Sequence, residues 1–159
     1  MADPILIVAA LNGNRDRKVA KKLPYTAGEI AKEAKRAVDA GAGVVHVHAR
    51  REDGGVAFDL TFDEIVGAIR ALVDVPISIT TQRTRQTSLG TVTALFDVLR
   101  ELPELATVNV QPPAPGLPAH REEARQILVS CERAGVAPEP GINALEAIAD
   151  VEALYEDGL

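Results

Sequence analysis

The sequence predicts an α/β fold in which short parallel strands alternate with helices, in about five units. Three observations carry that reading. Short apolar or β-branched runs recur along the 159 residues, each followed by a stretch of helical periodicity. Capping residues and glycines punctuate the helical stretches. The loop after the first run, Asn12-Gly13-Asn14, lacks the Gly-x-Gly-x-x-Gly spacing of a dinucleotide-binding turn.

Ile5–Leu11 reads as the first buried strand. Thr26 and Glu29 then stand in capping-box spacing, Ile30, Ala34, Ala37 and Val38 form one apolar stripe, and Gly41 marks the stop. Gly43–His48 is the second strand. Thr61 and Glu64 repeat the capping-box spacing ahead of Ile65, Ile69, Leu72 and Val73, and Pro76 leads into the third strand, Ile77–Thr81. Val92, Leu95, Phe96 and Leu99 line a third helix before Pro103. Strand four is Thr107–Val110, and Ala124, Ile127, Leu128 and Cys131 give the fourth helical stripe, ending at Gly135. Val136–Ile142 is the weakest strand, followed by a stripe of Leu145, Ile148, Ala149 and Tyr155 that stops at Gly158.

Strand–helix alternation implies right-handed crossovers and a parallel sheet. A doubly wound sheet and a (β/α)8 barrel of TIM type both fit; the missing glycine fingerprint weakens the dinucleotide-binding version, and the barrel is favoured if the repeat continues. Five units cannot close a barrel, which takes roughly 250 residues. The expectation is therefore a single domain over residues 1–159 that forms the N-terminal part of an incomplete barrel.

Composition narrows the functional class. With 17 basic and 23 acidic residues the net charge is −6, which argues against nucleic acid and membrane surfaces as partners. A hydrophobic content of 47% supports a packed core, and the one cysteine, Cys131, rules out an internal disulfide framework. The N-terminus has neither a basic region nor an apolar run long enough for a signal or a membrane span. The expected setting is the cytoplasm.

In parallel α/β folds ligands gather at the carboxyl ends of strands. There His46 and His48 stand two apart, so both imidazoles leave one face while Val45 and Val47 leave the other. Such a pair can converge on a divalent ion, although catalytic zinc usually takes three protein ligands. Glu52 and Asp53 lie in a turn that aims them at solvent, and His120 reads as a surface residue near a helix start. Arg15, Arg17, Lys18, Lys21, Lys22, Arg50, Arg51, Arg83 and Arg85 follow the first three strands, a basic set on an acidic chain that suits an anionic substrate. Arg15, Arg50 and Arg83 lie closest to strand ends. Asn12, Thr80, Thr81, Gln82 and Glu139 add polar groups, and Thr107, Asn109 and Gln111 alternate with Val108 and Val110 so that the polar three share a face. Cys131 reads as core filler.

Ala9-Ala10-Leu11-Asn12-Gly13, Leu23-Pro24, and Ala40-Gly41-Ala42 leading into His46-Val47-His48-Ala49-Arg50 together resemble the β-keto acid cleavage enzymes. The likeness continues through Ile79-Thr80-Thr81, Pro103 to Asn109, Gly135 to Glu139 and Gly158-Leu159. The best-known activity of that family is 3-keto-5-aminohexanoate cleavage in lysine fermentation. The resemblance implies a (β/α)8 barrel, often a homo-oligomer, and a divalent metal, usually Zn2+, held by His46 and His48. It implies a Claisen-type exchange in which a β-keto acid and acetyl-CoA yield acetoacetate and a new CoA thioester. Thr80 and Thr107 match catalytic positions, while Asn12, Arg15, Arg50, Arg83, Asn109 and Glu139 are the expected substrate-binding groups. Three departures accompany it. Arg15 stands where many members have a glutamate, making an amino-bearing substrate less expected. Gly141 stands where many have a second acid. The remaining metal ligand and the general base are expected beyond residue 159. Two alternatives are a non-catalytic barrel fragment serving assembly and another metal-dependent barrel lyase.

Overall fold

A computed structural model gives the structure and describes residues 5–84, 87–110, 121–142 and 144–158. Arg85, Gln111 and His120 lie outside the described residues. In chain order the elements are β1 (Val8–Ala10), α1 (Ala27–Asp39), β2 (Val44–Val47), α2 (Thr61–Arg70), β3 (Ile77–Thr80), α3 (Leu89–Thr93), α4 (Leu95–Val98), β4 (Leu105–Asn109), α5 (Arg121–Ala134), β5 (Ala137–Gly141) and α6 (Glu146–Glu156). Strand order follows chain order, and the pairings β1–β2, β2–β3 and β4–β5 are all parallel. That order, without a reversal, is that of a barrel wall rather than of a doubly wound sheet.

The residues gather into two compact units. One holds the chain up to Ile79 together with Leu99–Glu104, and the other holds Thr80–Val98 and the chain from Leu105 onward.

In the first unit Ala10, His46 and Ser78 stand in register across β1, β2 and β3. The alternate residues Val45, Val47, Ile77 and Ile79 are fully buried, with Ile30, Phe62, Ile65, Val66 and Ile69 from α1 and α2 completing the core. Burying side chains of this size stabilises by about 2 kcal/mol each relative to exposure. The capping box starts α1 as the sequence predicts: Thr26 Oγ1 accepts from Glu29 N–H, and the Glu29 carboxylate accepts from Thr26 N–H. Backbone N–H groups of Tyr25 and Thr26, reinforced by Arg17, hold the Glu29 carboxyl down at about 2. At the foot of β3, Glu104 accepts from Ile77 N–H at 2.9 Å and pairs with Arg70.

The predicted capping box at Thr61 does not form. Thr61 is already helical, and its N–H and hydroxyl both donate to Oδ1 of Asp59, two residues earlier, which caps the helix start instead. The first strand is also shorter than its apolar run. Ile5, Leu6 and Ile7 lie outside β1 and are exposed, because on the side away from β2 no described strand covers them.

In the second unit, β4 and β5 pair Thr107 with Glu139 and Asn109 with Gly141. Ala106, Val108 and Val110 are buried, while Leu105, Thr107 and Asn109 are half-exposed, which is the predicted alternation. The Thr81 hydroxyl donates to Thr107 O at 2.5 Å, tying Thr81 to β4 within this unit. Ala124, Ile127, Leu128 and Cys131 of α5 are buried as expected, and burial pushes the Cys131 thiol up to about 11, so it stays an inert core group.

The third helix is two short ones. Val92, Leu95 and Phe96 are buried as predicted, but Thr93 Oγ1 bonds back to Leu89 O and Gly90 O, and the Gly90–Thr93 segment has poor helix formers. The α6 stripe faces the other way from the prediction: Ala147 and Leu154 are buried, whereas Leu145 and Tyr155 are about 80% exposed. That helix carries apolar residues on two faces, so periodicity alone could not choose between them. No helix among the described residues is long and apolar enough to cross a membrane.

Candidate active site

The site begins with the pleat of β2. Because Val45 and Val47 point into the helix-covered core, His46 and the following His48 leave the opposite face together. Their ring centroids are 5.1 Å apart and their planes stand at 83°. Each histidine is fixed by a neighbour. His46 Nδ1 lies 3.0 Å from Ser78 Oγ, on the adjacent strand and in register with it. The Asn12 carboxamide clamps the His48 backbone, accepting from its N–H at 2.9 Å and donating to its carbonyl at 2.8 Å.

His48 is 6% exposed, and its Nδ1 is buried with no hydrogen-bond partner. Burial first, then the neighbouring His46 and Arg50, push its pKa down to about 3. The ring is therefore neutral near pH 7, as a metal-ligating imidazole must be. A buried neutral ring with an unsatisfied nitrogen beside a second imidazole fits two positions of a divalent ion. Among the described residues, no group of three His, Cys, Asp or Glu side chains completes such a site.

The lowered pKa has a consequence for stability. In metal-free protein the unfolded chain binds a proton at His48 below about pH 6.5, whereas the native chain does not until about pH 3. Native stability should therefore fall as pH drops through that window, by at most about 1.4 kcal/mol per pH unit from this group. Urea midpoints measured with chelator from pH 7.5 to 4 should decline more steeply in the natural chain than in a His48→Gln variant. Equal slopes would refute the burial of a neutral ring.

Four of the basic residues, Arg17, Arg50, Arg51 and Arg83, are engaged by the protein itself. Arg50 is 6% exposed; it donates to Gly54 O at 2.8 Å, to Gly13 O at 2.7 Å and to Arg15 O at 3.1 Å. Arg17 stacks over the Tyr25 ring at 4.3 Å and pairs with Glu29. Arg51 pairs with Asp59. Arg15 is exposed in the loop after β1, and Glu52 and Asp53 are exposed in the predicted turn. In the second unit Arg83 makes a two-pronged pair with Glu123, its Nε and one terminal nitrogen donating to the two carboxylate oxygens. There too Thr80 is buried and its Oγ1 accepts from Gln82 N–H at 3.0 Å, while Thr107 and Glu139 are adjacent by register and Asn109 lies where a side chain at Gly141 would start.

Two features escaped the sequence reading. Ser78 gave no signal, because a serine inside an apolar strand reads as a tolerated small residue; its register with His46 was the missing fact. The partners of Arg50 and Arg83 were equally hidden, since both contacts span more than 30 positions of the chain.

The family model described as beta-keto acid cleavage enzyme matches residues 4–159. A 3-keto-5-aminohexanoate cleavage enzyme of Acetoanaerobium sticklandii is 45% identical over 53 residues, 33% of this chain and 19% of that protein. One of Fusobacterium nucleatum subsp. nucleatum is 39% identical over 72 residues, 44% of this chain and 26% of that protein. The matches thus cover about a quarter or less of those relatives' lengths. Among solved structures, a binary complex of ObcA with oxaloacetate superposes with a TM-score of 0.68 at 21% identity, over 86% of this chain and 34% of ObcA. A phosphonomutase-like protein from Burkholderia cenocepacia J2315 gives 0.60 at 16% identity, over 96% of this chain and 66% of its own. These likenesses show the barrel-type fold. By the match that runs from residue 4 to its last residue, the chain belongs to the beta-keto acid cleavage enzyme family.

Proposed function

We propose that the protein is a metal-dependent β-keto acid cleavage enzyme that exchanges acyl groups between a β-keto acid and acetyl-CoA. In this reaction R–CO–CH2–COO− and acetyl-CoA give acetoacetate and R–CO–S-CoA: the bond between the keto carbon and the CH2 group and the C–S bond of acetyl-CoA are broken, while the CH2 group joins the acetyl carbon and the R–CO group joins the CoA sulfur. The observation that supports it is the histidine pair, two rings 5.1 Å apart on one strand face with one ring nitrogen buried and unpartnered.

His46 and His48 would hold the ion, which when bound supplies Lewis-acid polarisation of keto and carboxylate oxygens. Ser78 holds the His46 ring and Asn12 the His48 backbone before substrate arrives, so little reorganisation is needed. Thr80 accepts from Gln82 N–H, which leaves its hydroxyl proton to be donated to a developing oxyanion. Thr107 and Glu139, neighbours across β4 and β5, and Asn109 beside them orient the substrate. Arg15, exposed in the loop after β1, offers its guanidinium to a carboxylate or to CoA phosphates. Arg50 and Arg83 contribute through the loops and the helix they hold, since their donors face Gly13, Arg15 and Gly54 in one case and Glu123 in the other.

The test is to incubate the zinc-loaded whole protein with acetyl-CoA and a panel of β-keto acids, and to quantify acetoacetate and CoA thioesters by mass spectrometry. The expected result is the two products in equal amounts, with neutral or acidic keto acids preferred over amino-bearing ones. Failure of every keto acid to yield a thioester overturns the proposal. A second reading, an assembly role, has its own observation in the exposed Ile5–Val8 run, which ranges from 88% to 46% exposed. It predicts association of chains without zinc and without turnover.

A further inference from the structure

Ser78 is fully buried in β3, in register with His46, and its hydroxyl oxygen lies 3.0 Å from His46 Nδ1. A neutral imidazole has one N–H and one lone pair, and a hydroxyl can meet either; with Nδ1 occupied by Ser78, Nε2 is the nitrogen left to ligate, which requires the proton on Nδ1. We propose that Ser78 is a positioning residue that holds His46 as the Nδ1–H tautomer, with Nε2 as its ligating atom. The inference rests on the metal reading of the histidine pair and adds to it the residue that sets ligand orientation.

The geometry favours this role in two ways. Ser78 reaches His46 from the neighbouring strand, so the hydrogen bond fixes the ring about its second side-chain torsion, which is otherwise broad for histidine. Asn12 holds the His48 backbone but not its ring, so of the two imidazoles it is that of His46 that a neighbouring side chain orients. Both supports come from buried residues whose own positions are set by packing, an arrangement that preorganises a site.

The experiment uses the whole protein. Histidine-selective 15N NMR on metal-free protein, at a pH where both rings are neutral, reads the His46 tautomer directly and needs no variant. The expected result is a predominant Nδ1–H form that shifts towards Nε2–H in Ser78→Ala. Zinc competition titration should show Ser78→Ala weaker by about 10- to 100-fold, and Ser78→Thr, which keeps the hydroxyl, recovering part of that loss. A predominant Nε2–H form in the natural chain, or a tautomer unmoved by Ser78→Ala, overturns the proposal whatever the zinc result. If instead the natural chain shows the Nδ1–H form and Ser78→Ala shifts it, yet zinc does not bind, the tautomer role stands and the metal reading falls.

Discussion

Replacing His46 or His48 with alanine should abolish stoichiometric zinc binding while leaving the chain folded. His46 and His48 face each other at 5.1 Å, and among the described residues no third His, Cys, Asp or Glu joins them, so losing either leaves a single ligand. Affinity should fall by more than the roughly 10- to 100-fold typical of changes in groups that only support a ligand. The fold should survive because the other face of β2 is anchored by Val45 and Val47, both fully buried, and neither ring belongs to that packing. At His48 the substitution leaves no hydrogen-bond partner stranded, since Nδ1 has none and Asn12 holds the backbone, which alanine retains. The change in stability should stay within about 3 kcal/mol, the ordinary range of single substitutions. Isothermal titration with zinc, beside urea unfolding of the same samples, reads both quantities. One zinc per chain in the His46→Ala/His48→Ala double variant would refute the ligand assignment.

The strand–helix alternation was readable because its signals are local. Thr26 and Glu29 are three apart, His46 and His48 two apart, and the burial of Val45, Val47, Val108 and Val110 follows from a period of two. Where the reading failed, two local patterns were equally good or the answer lay elsewhere in the chain. Thr61 and Glu64 have the same spacing as Thr26 and Glu29, but Asp59 two residues earlier captured the threonine. Leu145 and Tyr155 look as apolar as Ala147 and Leu154, and only packing selects the buried pair. The basic residues after the strands suggested an open cationic mouth. Four of them, Arg17, Arg50, Arg51 and Arg83, instead meet carboxylates or carbonyls of their own chain. A guanidinium five donors wide finds such partners easily, and sequence alone cannot show the distant carbonyl that receives it.

Arg50 is the clearest case, and removing it should cost more than removing any other basic residue of the first unit. Its guanidinium joins two loops: Gly13 O and Arg15 O belong to the turn after β1, and Gly54 O to the hairpin after β2. It also lies against the Tyr25 ring, at 5.7 Å from the centroid. Arg50→Ala withdraws charge-assisted bonds from three carbonyls in a buried setting. Each such loss is worth about 1–3 kcal/mol when no water replaces it. Part is recovered, because the Arg50 Nε is itself buried without a partner. The net expectation is about 2–4 kcal/mol of destabilisation. Lysine should restore little, because one ammonium cannot span carbonyls of both loops in the planar fork that arginine offers. Arg51→Ala is the control: that side chain is more than half exposed in its pair with Asp59, and such pairs contribute about 1 kcal/mol or less. Because the same loops flank Asn12 and His48, Arg50→Ala should also weaken zinc binding and expose the Gly13–Leu23 segment to proteolysis below the unfolding midpoint. An Arg50→Ala protein with the urea midpoint of Arg51→Ala would mean that the loops hold their places without the clasp, and the site would have to owe its order to Asn12 and Ser78 alone.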